Sequence, residues 1–165
     1  MVWRICSNDD RSEAIEFLRK MDREFSPPIS EFPKGLEGTV DSFLQRGKIL
    51  IAEQQTELVG LVGYLLGEPS KNYSNPSVGY IYLAVLHPEY RNRPIIVKEL
   101  SRRITTEMDI DGVKEVRFKA YLNDNYVNKL YLKLAKPIGK ELNTQGVLST
   151  LYGVDLNEWK ERFMK

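Results

Sequence analysis

At 165 residues the chain fits one domain, long enough to bury roughly two-thirds of the surface its unfolded form exposes. Twenty-four Lys and Arg against 23 Asp and Glu leave a formal charge of +1, so no whole-molecule field draws it to nucleic acid or to an anionic membrane. Hydrophobic residues at 42% and aromatic residues at 10% exclude a disordered chain. Cys6 is alone, which excludes an intramolecular disulfide and a Cys-built metal site and points to a reducing, cytoplasmic setting. The opening "MVWRICSNDD" has no apolar signal core. The longest apolar run, "LVGLVGYLLG" at 58–67, is about half of the ~20 residues that span a bilayer. The expectation is a protein neither exported nor membrane-spanning.

In chain order, "VWRICS" reads as a strand. "DDRSEAIEFLRKMDREF" reads as a helix with Ala14, Ile15, Leu18 and Met21 on one face and Asp9, Asp10 or Ser12 as its cap. Three prolines in "SPPISEFPKG" break regular structure. "LEGTVDSFLQRG" then sets Leu36, Val40, Phe43 and Leu44 on one helical face and ends at Gly47. "KILIAEQ" and "ELVGLVGYLLG", parted by the polar "QTE", read as a hairpin, with Gly60 and Gly63 as weak points.

The polar loop "PSKNYSNPS" precedes "VGYIYLAVL", a strand apolar throughout and expected to be buried on both faces. "RPIIVKELSRRITTEMDIDG" predicts a long helix with Ile96, Leu100, Ile104 and Met108 in one stripe and Gly112 at its end. "KEVRFKAYL" alternates Val116, Phe118 and Ala120 inward, and "DNYVNKLYLKLA" is helical with Val127, Leu130, Tyr131 and Leu134 inward. "VLSTLYGVDL" is a last strand before "NEWKERFMK", an amphipathic end with its charges in solvent. The order β-α-α-β-β-β-α-β-α-β-β implies a mixed α/β or α+β sheet with helices on both faces, in one domain over 1–165.

The chemistry concentrates at "PEYRNRPIIVKEL", Pro88 to Leu100. A strand running through a tight turn into a helix N-terminus offers free backbone N–H groups and the positive end of a helix dipole, which together suit a pyrophosphate. Cations at a helix N-terminus are mildly unfavourable, so Arg91 and Arg93 there call for an anionic partner. The lone His87 reads as a polar surface residue and Cys6 as a small core residue.

"LAVLHPEYRNRPI" resembles the signature of the GCN5-related N-acetyltransferases (GNAT): an apolar strand, Pro-Glu-Tyr-Arg, and a Gly-rich turn opening a long helix. The likeness extends over nearly the whole chain, including "NDNYVNKLYLKLA", which is similar to the family's Asn-then-Leu-Tyr segment. With Tyr131 on the family's helical Tyr, Asp124 falls on the usual Asn, and Ala135 and Lys136 replace Gly-Phe. The resemblance implies a GNAT-like α+β fold, a mostly antiparallel sheet with two splayed central parallel strands, "YIYLAVL" and "VRFKAYL", holding acetyl-CoA between them.

It further implies transfer of an acetyl group to a primary amine of a small molecule or peptide. Val85 would supply the main-chain amide that polarises the thioester, and Tyr131 would protonate the departing thiolate. The stretch Val85, Leu86, Arg91, Asn92, Arg93, Ile95 and Ile96 would hold the coenzyme, with no metal. Family members often dimerise; the sequence leaves the oligomeric state and the acceptor open.

Two departures stand out. In the family's Arg-x-x-Gly-x-Gly pattern, Pro94 and Ile96 occupy the glycine positions, and proline removes one N–H donor. If that amide met phosphate, its loss costs on the order of 1.5 to 3 kcal/mol, roughly ten- to hundred-fold in affinity. Proline also suits the first helical position, and Arg91 and Arg93 can offset lost donation by charge. Second, the strand position where the family often has a catalytic Glu is Tyr80, a poor base at neutral pH. The alternative is therefore a catalytically degenerate binding or interaction module on the same fold.

Overall fold

The computed structural model describes residues 1–25, 27–143 and 146–164. It contains seven strands, β1 (Val2–Ile5), β2 (Gly47–Gln54), β3 (Glu57–Leu66), β4 (Val78–Leu86), β5 (Glu115–Tyr121), β6 (Lys136–Leu142) and β7 (Leu148–Asp155). The α-helices are α1 (Arg11–Lys20), α2 (Gly35–Arg46), α3 (Pro94–Ile110), α4 (Asn125–Leu132) and α5 (Leu156–Phe163). Hydrogen-bonded neighbours follow the order β1-β2-β3-β4-β5-β7-β6. β4 and β5 are parallel, while β1–β2, β2–β3, β5–β7 and β6–β7 are antiparallel. The expected mixed α+β sheet is thus observed.

The chain forms two compact units, Met1–Leu65 with Leu83–Leu100, and Leu66–Tyr82 with Ser101–Lys165. In the first, α1 buries Ala14, Ile15, Phe17 and Leu18, while α2 buries Thr39, Val40 and Phe43 against β2. The expected α1 cap is realised one step earlier. Asp10 Oδ2 accepts from the Ser7 amide at 2.8 Å and its hydroxyl at 3.0 Å, closing the short 3-10 turn that leads into the helix. Of the loop "SPPISEFPKG", Ser26 lies outside the described residues, and Ile29 is buried.

The two glycines read as weak points in β3 are close-approach sites instead. A Cβ on Gly63 would lie 2.5 Å from the Phe43 ring, and one on Gly60 would lie 2.9 Å from Leu86 Cδ1. The hairpin turn uses Gln55 and Thr56 at positive φ, 51° and 69°, the conformation of a tight two-residue connection.

In the second unit, β5 alternates as expected, with Val116, Phe118 and Ala120 buried. Around Phe118 gather Tyr131 at 4.6 Å, Tyr152 at 6.0 Å and Trp159 at 6.0 Å between ring centroids. Four sequence expectations are corrected here. Leu130 is exposed, because Val127 and Tyr131, one turn apart, supply the inner side of α4 and Leu130 falls beside it. The edge strand β6 was not located in the sequence, since its exposed residues and Pro137 carry no buried alternation.

The charged tail is a packed helix. Leu156 and Trp159 are buried, and the Trp159 indole donates to Thr105 Oγ1 at 2.9 Å. Lys165 of that stretch lies outside the described residues. Lastly, β4 is not buried on both faces throughout: Ala84 is exposed and Ile81, Tyr82 and Leu86 are half-buried. Among the described residues no helix is long and apolar enough to cross a membrane.

Candidate active site

The turn between β4 and α3 lies in the first unit. Pro88–Tyr90 form a 3-10 turn in which the Glu89 amide donates to His87 Nδ1 at 3.3 Å. Asn92 then adopts φ 62°, the left-handed region that asparagine tolerates better than other side chains except glycine. The reversal into the helix is therefore made at Asn92, and Pro94 opens α3 at the first helical position, where its missing N–H breaks no helical bond.

Ile96 and Val97 both donate their amides to Arg93 O, at 3.0 and 3.3 Å. The amides of Asn92, Arg93 and Ile95 donate to no acceptor among the described residues. Ile96 is 7% exposed and anchors the start of α3 by its side chain, whereas Ile95 is 75% exposed.

Arg91 is already engaged. Its Nε donates to Leu86 O at 2.8 Å, and its Nη1 lies 3.0 Å from Glu24 Oε2. The His87 amide donates to Val59 O in β3 at 2.7 Å. Since successive peptide groups of a strand face opposite edges, Leu86 O and the Leu86 amide sit on the edge away from Val59. Arg91 thus seals the end of that edge. Arg93 is exposed, with its guanidinium 5.2 Å from the centroid of the Tyr90 ring. Val85 is buried.

In the second unit, the parallel β4–β5 register runs through Val78–Glu115, Gly79–Val116 and Tyr80–Arg117. Tyr131 stands on α4, edge-on to Phe118 at 4.6 Å and to Tyr152 at 5.6 Å. Burial, and then the nearby Asp124 and Tyr152, hold its phenol above the ordinary pKa, so it stays protonated at neutral pH. Its hydroxyl has no hydrogen-bond partner among the described residues.

Asp124, on the position where the family has Asn, caps α4 by accepting from the Val127 amide at 3.1 Å. Asn128, which the sequence reading did not single out, donates to Tyr121 O and Asp124 O, each at 2.8 Å, and accepts from the Tyr152 hydroxyl. It ties α4 to the end of β5. Tyr80 is buried, and burial, with Glu141 as the next cause, drives its phenol far above the ordinary value. It cannot serve as a base at neutral pH. The Cys6 thiol is pushed up to about 11, chiefly by burial, which removes it as a nucleophile.

No family model and no curated protein sequence matches this chain. Solved structures do. An aminoglycoside 6'-acetyltransferase type Ii is similar with a TM-score of 0.69 at 18% identity, over 94% of this chain and 97% of that one. An aminoglycoside 6'-N-acetyltransferase complexed with coenzyme A gives 0.68 at 14%, over 94% and 97%. A GNAT-family acetyltransferase from Streptococcus pneumoniae gives 0.67 at 14%, over 93% and 98%. Likeness at this level of identity is likeness of fold, and it extends over nearly the full length of both chains. The chain has the fold of the GCN5-related N-acetyltransferases.

Proposed function

We propose that this protein is an N-acetyltransferase that moves an acetyl group from acetyl-CoA to a primary amine. The observation that carries this reading is the entrance to α3, where Asn92, Arg93 and Ile95 leave three unused amides beside Arg91 and Arg93. Free amides at a helix N-terminus suit a diphosphate, and one structure of the same fold holds coenzyme A.

The residues divide the work. Asn92 provides the bend, Pro94 the helix start, and the amides of Asn92, Arg93 and Ile95 the phosphate donors, while Ile96 anchors the helix from below. Arg91 and Arg93 add charge. The main-chain amide at Leu86, next to Val85 and on the edge away from β3, supplies the donor for the thioester carbonyl. That donation stabilises the oxyanion as the amine attacks. Tyr131, protonated and without a competing partner, gives its proton to the departing thiolate.

The experiment is isothermal titration with coenzyme A and acetyl-CoA, followed by release of free thiol in the presence of mixed amines. Micromolar binding with amine-dependent thiol release is expected, and no heat at millimolar ligand removes the proposal. A second reading, a binding module on the same fold, is favoured by Pro94 and by the Glu24 carboxylate already on Arg91. It predicts binding, if any, without thiol release.

A further inference from the structure

The amine acceptor has a candidate seat in the second unit, on the sheet face opposite Phe118. Across β5, β7 and β6 the register sets Tyr121, Ser149 and Glu141 side by side, and opposed residues share a face. Arg117 lies on the same face of β5, opposite Tyr80, and the Tyr80 and Tyr82 rings are 6.0 Å apart. The loop after β3 adds Glu68, and Ser70 Oγ donates to Glu141 Oε1 at 3.3 Å.

This face carries unspent polar groups. Tyr80 is 3% exposed and Ser149 2% exposed, and neither hydroxyl has a hydrogen-bond partner among the described residues. The Glu68 side chain is 2% exposed; its Oε1 pairs with Arg117, whereas its Oε2 has no hydrogen-bond partner and lies 3.6 Å from the exposed Lys71 ammonium. Arg117 spends its other nitrogens on Glu115, at 3.0 and 2.9 Å. Glu141 has no cationic partner among the described residues.

Burial first, and then Glu141, Tyr82, Glu68 and Tyr121, push the Tyr80 pKa up. Lys119 shares this β5 face but is not among the groups shifting Tyr80, Tyr82 or Tyr121. The local field is therefore negative, bounded by phenol rings that also attract cations.

We infer that this face seats the acceptor and selects an aliphatic amine carrying a second ammonium, held by Glu141 among Tyr80, Tyr82 and Tyr121. The inference rests on the transferase reading. The two nitrogens have different duties. The attacking one must first lose its extra proton to water; its bond to the acetyl carbon then forms as the carbon–sulfur bond breaks. The nitrogen's remaining excess proton leaves, and the thiolate takes one up to depart as thiol. The other nitrogen stays an ammonium, which gives the carboxylate something to hold throughout.

Spermidine and butylamine distinguish this seat from a general amine site. With the full chain, spermidine should bind in titration and be acetylated at least ten-fold more efficiently than butylamine. Glu141→Gln should weaken spermidine about ten-fold, the scale of one hydrogen bond to a charged group, and abolish the preference without moving coenzyme A affinity. Tyr80→Phe, which removes a hydroxyl without a partner, should weaken spermidine a few-fold and leave the melting temperature unchanged. Spermidine no better than butylamine on the native protein, or a preference that survives Glu141→Gln, overturns the inference. Glu141-dependent spermidine binding without any coenzyme binding would uphold the seat and remove the transferase reading instead.

Discussion

Arg91 is held from two sides: its Nε donates to the Leu86 carbonyl at 2.8 Å, and its Nη1 sits 3.0 Å from the Glu24 carboxylate. The first contact orients the side chain along the end of β4. The second neutralises a charge that a diphosphate would otherwise claim, so coenzyme binding competes with Glu24. The two side chains are 38% and 41% exposed, and solvent screening limits the pair to about 0.5–1 kcal/mol. Glu24→Gln should therefore tighten coenzyme A by roughly two- to five-fold with little change in stability, as titration calorimetry would read. Weaker binding in that variant would mean that Glu24 positions Arg91 rather than competing for it.

Pro94→Ala gives the turn back an amide and keeps the helix. If that amide meets phosphate, coenzyme A should bind about ten-fold tighter, at a cost of a few tenths of a kcal/mol in stability from the lost preset φ. Ile96 is left unchanged in this test. At 7% exposure, removing its side chain would cost about 2–5 kcal/mol of packing and confuse the measurement.

Tyr131→Phe removes a hydroxyl that no described residue binds, and keeps the ring against Phe118 and Tyr152. The melting temperature should stay within about 2 °C. If the phenol protonates the thiolate, kcat falls on the order of 10- to 100-fold while the KM for acetyl-CoA holds, within the usual range for a positioned acid. An unchanged kcat would leave Tyr131 as a core aromatic.

Gly63→Ala tests the close approach of β3 to α2. The added methyl would meet the Phe43 ring at 2.5 Å, and Phe43 is fully buried, so the ring has to shift within packed surroundings. A loss of about 1–3 kcal/mol in chemical denaturation is expected, with Phe43→Leu partly restoring the double variant.

Asp10 should mark the acid limb of stability. Its carboxylate accepts from Arg4 at 2.7 and 2.8 Å and from Ser7, which hold its pKa well below the usual carboxylate range. A depressed pKa contributes stability that is fully present above the unfolded value near ~4 and is lost as pH falls toward the folded value. Asp10→Asn should thus be less stable than the native protein by about 1–2 kcal/mol at pH 7. The gap should shrink as pH drops below about 4, read as denaturation midpoints across pH. A gap independent of pH would assign the loss to geometry instead.

Apolar runs located β4 and β7, alternation located β5, and helical spacing located the four long helical stretches, because each buries residues whose apolar character is visible in the chain itself. Leu130 and Trp159 escaped because a helix's apolar residues do not say which partner arrives. β7 and β5 receive α5, and that packing, together with Thr105 of α3, covers Trp159. β6 escaped because an exposed edge strand has no stripe to read.

At the candidate site the sequence determined the residue types of the turn and the helix that follows it, since proline at a helix start and an asparagine before it are local, short-range choices. It could not decide where the Arg91 guanidinium goes, because its partners Leu86 and Glu24 are set by folding, one of them 67 residues away in the chain. Nor could it place Tyr121, Ser149 and Glu141 in one row, since strand register is fixed by which faces a sheet buries and not by any residue alone.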